Sequence, residues 1–402
     1  MGGPEVLIDE EAFLHNFRIL RKACGDLPMM PVIKANAYGH SAELIARICE
    51  EKIPETQNPM WVVARASEAR SLRNQGLHRK ILVLSEFSEE DFSVGWPART
   101  ELAIHSDGDA ELVVNLPREK RKNLEAIHFN VNTGMNRLGF RIVPDLAARL
   151  CALAEKFQGA GLRVSGLMTH LARGEEDPKV FSAQQEQAFL EFVQKLKFSW
   201  PAGAGNFPEW VHMSNSSGIA RHVGCERPTF SAVRPGVALW GAWATNEEPR
   251  TIALKPVAQV RAPIRQFFWT NAGEGVGYGH RFVCKRKTLI GTVPLGYADG
   301  MSRSLSRRAD EPSRVGFVVE GVRVPIVGTV SMDLTMVDLT DHPRVAEWTQ
   351  ALEHGQMPSV QANWIGAGQS AEDIAAALGT ISYEVLCAMA SRLPRRRIGG
   401  AS

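Results

Sequence analysis

The chain has 402 residues, 44% of them hydrophobic and 22% charged, with a formal net charge of +2. That composition belongs to a folded globular protein, and the length points to two domains, each with its own core. Nucleic acid and membrane are both unexpected as partners: the one basic cluster, Arg392, Arg395, Arg396 and Arg397, reads as a solvated tail, and no run reaches the ~18 apolar residues of a spanning helix.

The six cysteines, Cys24, Cys49, Cys151, Cys225, Cys284 and Cys387, lie far apart, without the spacings that a zinc site or redox dithiol needs. They read as reduced, mostly buried thiols, and no metal site is expected. Met1 to Glu10 has no basic segment followed by an apolar run, so a cytoplasmic location is expected.

From Pro4 to about Gly241, short apolar runs alternate with segments of helical periodicity. The runs are Pro31 to Ala35, Trp61 to Ala64, Ile81 to Leu84, Leu102 to His105, Ile127 to Val131, Val164 to Thr169, Trp210 to Met213 and Ala232 to Leu239. Between them, Ser41 to Glu51, Ser67 to Gln75, Pro144 to Gln158 and Ser182 to Lys195 set apolar residues at i, i+3 and i+4. Such alternation predicts a (β/α)8 TIM barrel over residues 1–241.

Residues 242–402 read differently. A polar connection from Ala244 to Arg250 leads into strand-like text at Gln259 to Trp269, Thr288 to Pro294, Arg314 to Val319, Val322 to Val330 and Leu334 to Leu339. A mainly β domain is therefore expected, ending in one helix over Ala371 to Arg392 with Ser370 as its N-cap. The fold class is α/β, a barrel followed by a β domain.

Three groups of residues carry chemistry. Lys34 stands at the end of the first apolar run, where barrels keep their reactive groups; burial there would lower the amine's pKa and make it a nucleophile and then a base. On position alone it is equally a lysine snorkelling from a strand end. Asn132, Arg137, His170, Asn215, Ser216 and Arg234 lie at other strand ends, with Arg234 followed by the bare turn Pro235-Gly236. Each is individually a common capping or turn residue, and their convergence at one barrel end is what favours a ligand. Third, Gly273-Glu-Gly-Val-Gly-Tyr-Gly-His280 brackets Tyr278 with glycines; it is either a hairpin tip or a tyrosine presented to another surface for proton exchange.

The lysine segment Lys34-Ala-Asn-Ala-Tyr-Gly-His40 resembles the cofactor-lysine motif of the alanine racemase family. Further matching segments follow in order: Asn132-Thr-Gly-Met-Asn-Arg-Leu-Gly-Phe140, Thr169-His170, Asn215-Ser-Ser-Gly218, Arg234-Pro-Gly236, Val276-Gly-Tyr-Gly279, Gly296-Tyr-Ala-Asp-Gly300, Ser331-Met-Asp333 and Gly379-Thr-Ile-Ser-Tyr-Glu384. The resemblance implies a pyridoxal 5'-phosphate (PLP) enzyme that interconverts L- and D-alanine through an aldimine and supplies D-alanine for peptidoglycan. It also implies a homodimer whose sites lie between the barrel of one subunit and the β domain of the other.

By the same resemblance, Lys34 and Tyr278 are the two bases, Lys34 also bearing the cofactor. Arg234 and His170 stand by the cofactor ring, His170 linking Arg234 to Tyr278. Tyr38, Asn215, Ser216, Gly236, Val237 and Tyr383 bind the cofactor, mainly its phosphate. Arg137, Met332 and Tyr297 contact the substrate. The chain departs from the family pattern at Asn130, where many relatives have a carbamylated lysine, and at Asn132, Ser331 and Trp240. Asn130 cannot be carbamylated, so Arg137 is expected to be held by the Asn130 amide, an anion or a neighbour. PLP-dependent basic amino-acid decarboxylases share this plan but use a cysteine where Tyr278 stands, and non-catalytic PLP carriers lack a second domain.

Overall fold

A computed structural model describes residues 2–85, 87, 89–175, 180–244, 252–308, 311, 315–366 and 368–400. Arg314 and most of the polar connection expected at Ala244 to Arg250 lie outside these residues.

All eight apolar runs of the N-terminal part contribute to one parallel ring. Six form regular strands in the order Met60–Val63, Lys80–Val83, Thr100–Ile104, Leu124–Asn132, Arg163–Met168 and Trp210–His212. Two shorter stretches close it: Ala232 pairs with His212, Val233 with Met29, and Val32 with Val62, all parallel. The expected strand Ala232 to Leu239 is thus confined to its first residues. Pro235 has no N–H to donate to a ladder, and Val237–Trp240 winds into a 3-10 helix instead. The intervening segments are helices as the periodicity predicts, including Ala42–Lys52, Ala66–Asn74, Leu146–Gly159 and Val180–Ser199.

The C-terminal part is built on a nine-stranded sheet. Its order runs Gln266–Thr270, Thr288–Val293, Thr335–Asp338, Val322–Val327, Gly316–Val319, Gln361–Ile365, Ala258–Pro263, then Glu5–Asp9 and Arg395–Ile398. Both chain ends therefore join this sheet, side by side and parallel.

That placement corrects two expectations. The helix foreseen over Ala371 to Arg392 is two helices, Ala371–Leu378 and Ser382–Cys387, because Gly379 takes φ +71° and stops the first. Ser370 does cap it, accepting the Asp373 N–H at 3.1 Å. The arginine cluster is no solvated tail: Arg396 pairs with Glu5 (3.1 Å), Arg397 with Glu10 (2.5 Å) and Glu51 (2.9 Å), and Arg392 with Asp299 (2.7 Å). Carboxylates distant in sequence receive it, so its charge is spent inside the fold.

Five of the six cysteines are buried and all are free thiols. Among the described residues no helix is long and apolar enough to cross a membrane.

Candidate active site

Lys34 follows the short stretch 29–33 that closes the ring, and the backbone turns immediately after it. Ala35, Asn36, Ala37 and Tyr38 have φ of 51°, 54°, 53° and 53°, one turn of left-handed helix made without glycine. Such a conformation costs L-residues about 1–2 kcal/mol each, so something must hold it. Glu68 accepts the Ala35 N–H (2.6 Å), the Asn36 side chain accepts the Ala42 N–H (2.8 Å), and Arg395 donates twice to the Gly39 carbonyl (3.0 and 3.1 Å). Lys34 is thereby half-buried at the cavity wall. Burial, and after it the Arg137 guanidinium, hold its amine below the usual lysine range.

The cavity measures about 650 Å³, ample for a cofactor with a small substrate. It brings together Lys34, Tyr38, Arg137, His170, Asn215, Ser216, Arg234, Gly236 and Tyr383. These come from six stretches of chain: the closed ring makes five of them neighbours, and the sixth brings Tyr383 from the C-terminal helix Ser382–Cys387.

One wall is a cradle of backbone and hydroxyl groups. Ser216 Oγ accepts the N–H groups of Gly236 (3.0 Å) and Ala238 (3.1 Å), and Asn215 Oδ1 caps the short helix Ser216–Ala220 through the Gly218 N–H (2.9 Å). With its oxygen so used, the Ser216 hydroxyl proton has no acceptor among the described residues, and neither has the Val237 N–H. Val237 itself is fully buried and does not line the cavity. Above the cradle, Tyr38 packs against Tyr383 and Trp240, with ring centroids 5.8 and 5.9 Å apart.

Arg234 is 2% exposed, and burial draws it down to about 10, so it stays a cation at neutral pH. Its guanidinium donates to His212 Nδ1 and to the carbonyls of Thr169 (2.7 Å) and Met213 (3.2 Å). His170 stands in the same field; burial first, then Arg234, Arg137 and Lys34, hold it down to about 3, a neutral imidazole. Among the described residues no hydrogen bond joins His170 to Arg234, and His212 fills that place.

Arg137 ends a loop ordered by Asn132, whose side-chain oxygen accepts the N–H groups of Gly134 (3.0 Å) and Asn136 (3.1 Å). An amide oxygen performs this turn-making task as a carboxylate would. Asn130 donates to His105 Nδ1 (3.0 Å), whose Nε2–H is turned to the Leu84 carbonyl (2.8 Å). Among the described residues neither the Asn130 amide nor any carboxylate bonds Arg137, which is exposed at the mouth.

Tyr278, Tyr297 and Met332 do not line this cavity and are 74%, 42% and 52% exposed. Tyr278 sits at the tip of a hairpin between Gly275–Val276 and Phe282–Val283, where Gly277 and Gly279 both take φ +69°. Sequence reading missed Glu68, His212 and Arg395. His212 sits inside an apolar strand, and a buried histidine in such a run is the signal that could have found it.

Residues 8–243 match the family model "Alanine racemase, N-terminal domain", and residues 257–397 match "Alanine racemase, C-terminal domain". The alanine racemase of Sorangium cellulosum is 34% identical over 389 residues, 95% of each chain. Among solved structures, the alanine racemase of Clostridium difficile 630 has a TM-score of 0.84 at 25% identity, covering 99% of this chain and 96% of that one. The enzyme from Bacillus anthracis, described with bound L-Ala-P, has a TM-score of 0.81 at 27% identity, covering 100% and 96%. On these matches, which span both halves, the chain belongs to the alanine racemase family.

Proposed function

We propose that the protein interconverts L- and D-alanine with PLP, using Lys34 and Tyr278 of the partner subunit to exchange the α-proton. The observation that carries this reading is the meeting, in one cavity, of a lysine amine held below its usual range with a buried cation and the Ser216 hydroxyl, whose proton has no acceptor among the described residues.

Those groups suit the cofactor. Lys34 would carry it through its aldehyde. Ser216, Gly236, Val237, Tyr38 and Tyr383 would hold its phosphate, the Ser216 hydroxyl proton and the Val237 N–H having no other acceptor among the described residues. Asn215, His170 and Arg234 would hold the rest. When bound, the cofactor withdraws electrons from the substrate's α-carbon and acidifies its C–H bond.

The remaining chemistry belongs to the protein. Lys34, its amine held below the usual lysine range by burial and by Arg137, can attack an aldehyde and later take or return a proton. Inversion needs a proton removed from one face of a flat centre and delivered to the other, so a second group must stand opposite. Tyr278 is exposed at a hairpin tip away from its own cavity, as are Tyr297 and Met332, which favours a homodimer with sites shared between subunits. Arg137 at the mouth would meet the substrate carboxylate, and Met332 and Tyr297 of the partner subunit would bound it. A division at 241/242, a cytoplasmic setting and supply of D-alanine to peptidoglycan belong to the same reading.

The test is loss of optical rotation when L-alanine is incubated with PLP-loaded protein, beside a Lys34→Ala variant. Rapid loss with the natural chain and none with the variant is expected. Absence of racemisation despite bound PLP would sink the assignment.

A further inference from the structure

Arg234 is buried without a carboxylate against it among the described residues, an arrangement that ordinarily penalises a charge heavily. Its compensation lies deeper in the barrel. His212 Nε2 stands 2.9 Å from His128 Nδ1, and His128 Nε2 stands 2.7 Å from Glu101 Oε2. Glu101, His128 and His212 are all 0% exposed, and none lines the cavity.

The proton positions follow from the ends. A guanidinium can only donate, so His212 Nδ1 accepts and His212 keeps its proton on Nε2. That N–H donates to His128 Nδ1, which leaves the His128 proton on Nε2, directed at the carboxylate. A second proton on either ring would set two N–H groups face to face. Burial and then Arg234 hold His212 well below its usual range, consistent with a neutral ring. Burial opposes ionisation of Glu101, yet the hydrogen bonds from His128 and Ser165 (2.7 Å) and the nearby Lys80 ammonium (3.2 Å) hold its carboxyl below the usual carboxylate range. Arg163 adds a further cation at 3.8 Å.

The backbone is shaped for this chain. The strand register shifts between Thr100 and Glu101 and again between Ile127 and His128, irregularities that re-aim side chains. Residue 166 must be glycine, because a Cβ there would lie 2.0 Å from His128 Nδ1.

We propose that Glu101 is a positioning residue for the reaction: through His128 and His212, each protonated on Nε2, it anchors Arg234 and supplies the negative end of a hydrogen-bonded chain across the barrel. The chain stands on the geometry alone, while its service to catalysis rests on the racemase reading above.

The experiment is nitrogen NMR of the PLP-loaded protein labelled with 15N-histidine, with His128→Gln and His212→Gln used to assign the two interior rings. Both are expected to show a bare Nδ1 and a protonated Nε2. In Glu101→Gln the single amide oxygen is contested by Ser165, Lys80 and His128, so the two tautomers should mix. The absorption band of the bound cofactor should shift, and kcat for alanine should fall roughly tenfold to a hundredfold, as for buried partners that orient a functional group, with KM within about twofold. Should that variant not fold, Glu101→Asp keeps the charge but withdraws it by one methylene and carries the same readouts. A proton on Nδ1 of either ring in the natural protein overturns the proposal. So does a substituted Glu101 with unchanged tautomers, band and kcat. If instead the tautomers are as assigned but alanine is not racemised, the racemase reading fails and the chain's catalytic service falls with it.

Discussion

The Tyr38 hydroxyl closes directly over the backbone of Gly236: a Cβ at residue 236 would stand 2.6 Å from Tyr38 Oη. Glycine is required there by space rather than by backbone angle. Tyr38 is fixed in turn by Trp240 and Tyr383, so it cannot simply swing away. In Gly236→Ala the added methyl should push the phenol out of the cradle. Overpacking of this kind costs about 1–3 kcal/mol, which as lost cofactor affinity is roughly fivefold to a hundredfold. Titration of the apoprotein with PLP, followed by absorbance, measures it. Affinity equal to that of the natural chain would remove Tyr38 and Gly236 from the phosphate site.

Arg395 makes a second prediction, about the lysine segment. It is the clip that joins the last strand to the left-handed turn, donating to the carbonyls of Gly39, Met389 (2.7 Å), Ala390 (2.5 Å) and Leu393 (2.6 Å). Arg395→Ala strands several partly buried carbonyls at once and should cost about 2 kcal/mol or more. Arg395→Lys should recover little, since one ammonium cannot span the same acceptors. The denaturant midpoint of each variant reports the loss. A midpoint unchanged in Arg395→Ala would mean that Glu68 and Asn36 suffice to hold the turn.

These two sites mark where the sequence was legible and where it was not. The eight barrel runs could be read because each is a short apolar stretch bounded by polar text, a pattern set by burial on both faces of a parallel sheet. Lys34, Arg234 and the cradle could be read as strand-end residues. The left-handed turn could not: Ala-Asn-Ala-Tyr has no local preference for it, and its cause lies at Glu68 and Arg395. Arg395–Ile398 reads as charge and not as strand, because its partner Glu5–Asp9 lies at the other end of the chain. Glu101, His128 and His212 were hidden in the same way, polar residues in or beside runs that otherwise read as core, with partners on other strands.

Acid sensitivity is the third prediction. Burial holds His40 down to about 4 and His170 to about 3, against a usual value of 6.5, so both are neutral in the folded protein. In the unfolded chain they take up protons below about pH 6.5, where the folded state does not. More protons on the unfolded state means that stability falls as pH falls, by up to about 1.4 kcal/mol per pH unit for each such histidine. The loss should begin near pH 6.5 and continue toward pH 4. Glu101 adds a later phase: its carboxyl is held below the ordinary value of 4.5, so its contribution is complete above 4.5 and lost as the pH falls below it. Denaturant midpoints measured at descending pH should show the first decline well before carboxylates titrate. A flat profile down to pH 5 would mean that the two imidazoles are protonated within the fold.

The two-subunit reading of the site makes the sharpest prediction. If each cavity takes Lys34 from one subunit and the opposing base from the partner's Tyr278, then Lys34→Ala and Tyr278→Phe homodimers each lack one base in every cavity. Loss of a positioned acid or base costs about 10²–10⁴-fold in rate. Reassorting an equal mixture of the two gives about half heterodimers, and each heterodimer contains one cavity with both bases intact and one with neither. About a quarter of all cavities are then whole, and racemisation measured by chiral chromatography should rise from near zero to about a quarter of the natural rate. If Tyr278 served the Lys34 of its own subunit, every cavity in the mixture would still lack one base. Activity would then stay at the level of the separate variants however long the subunits were exchanged.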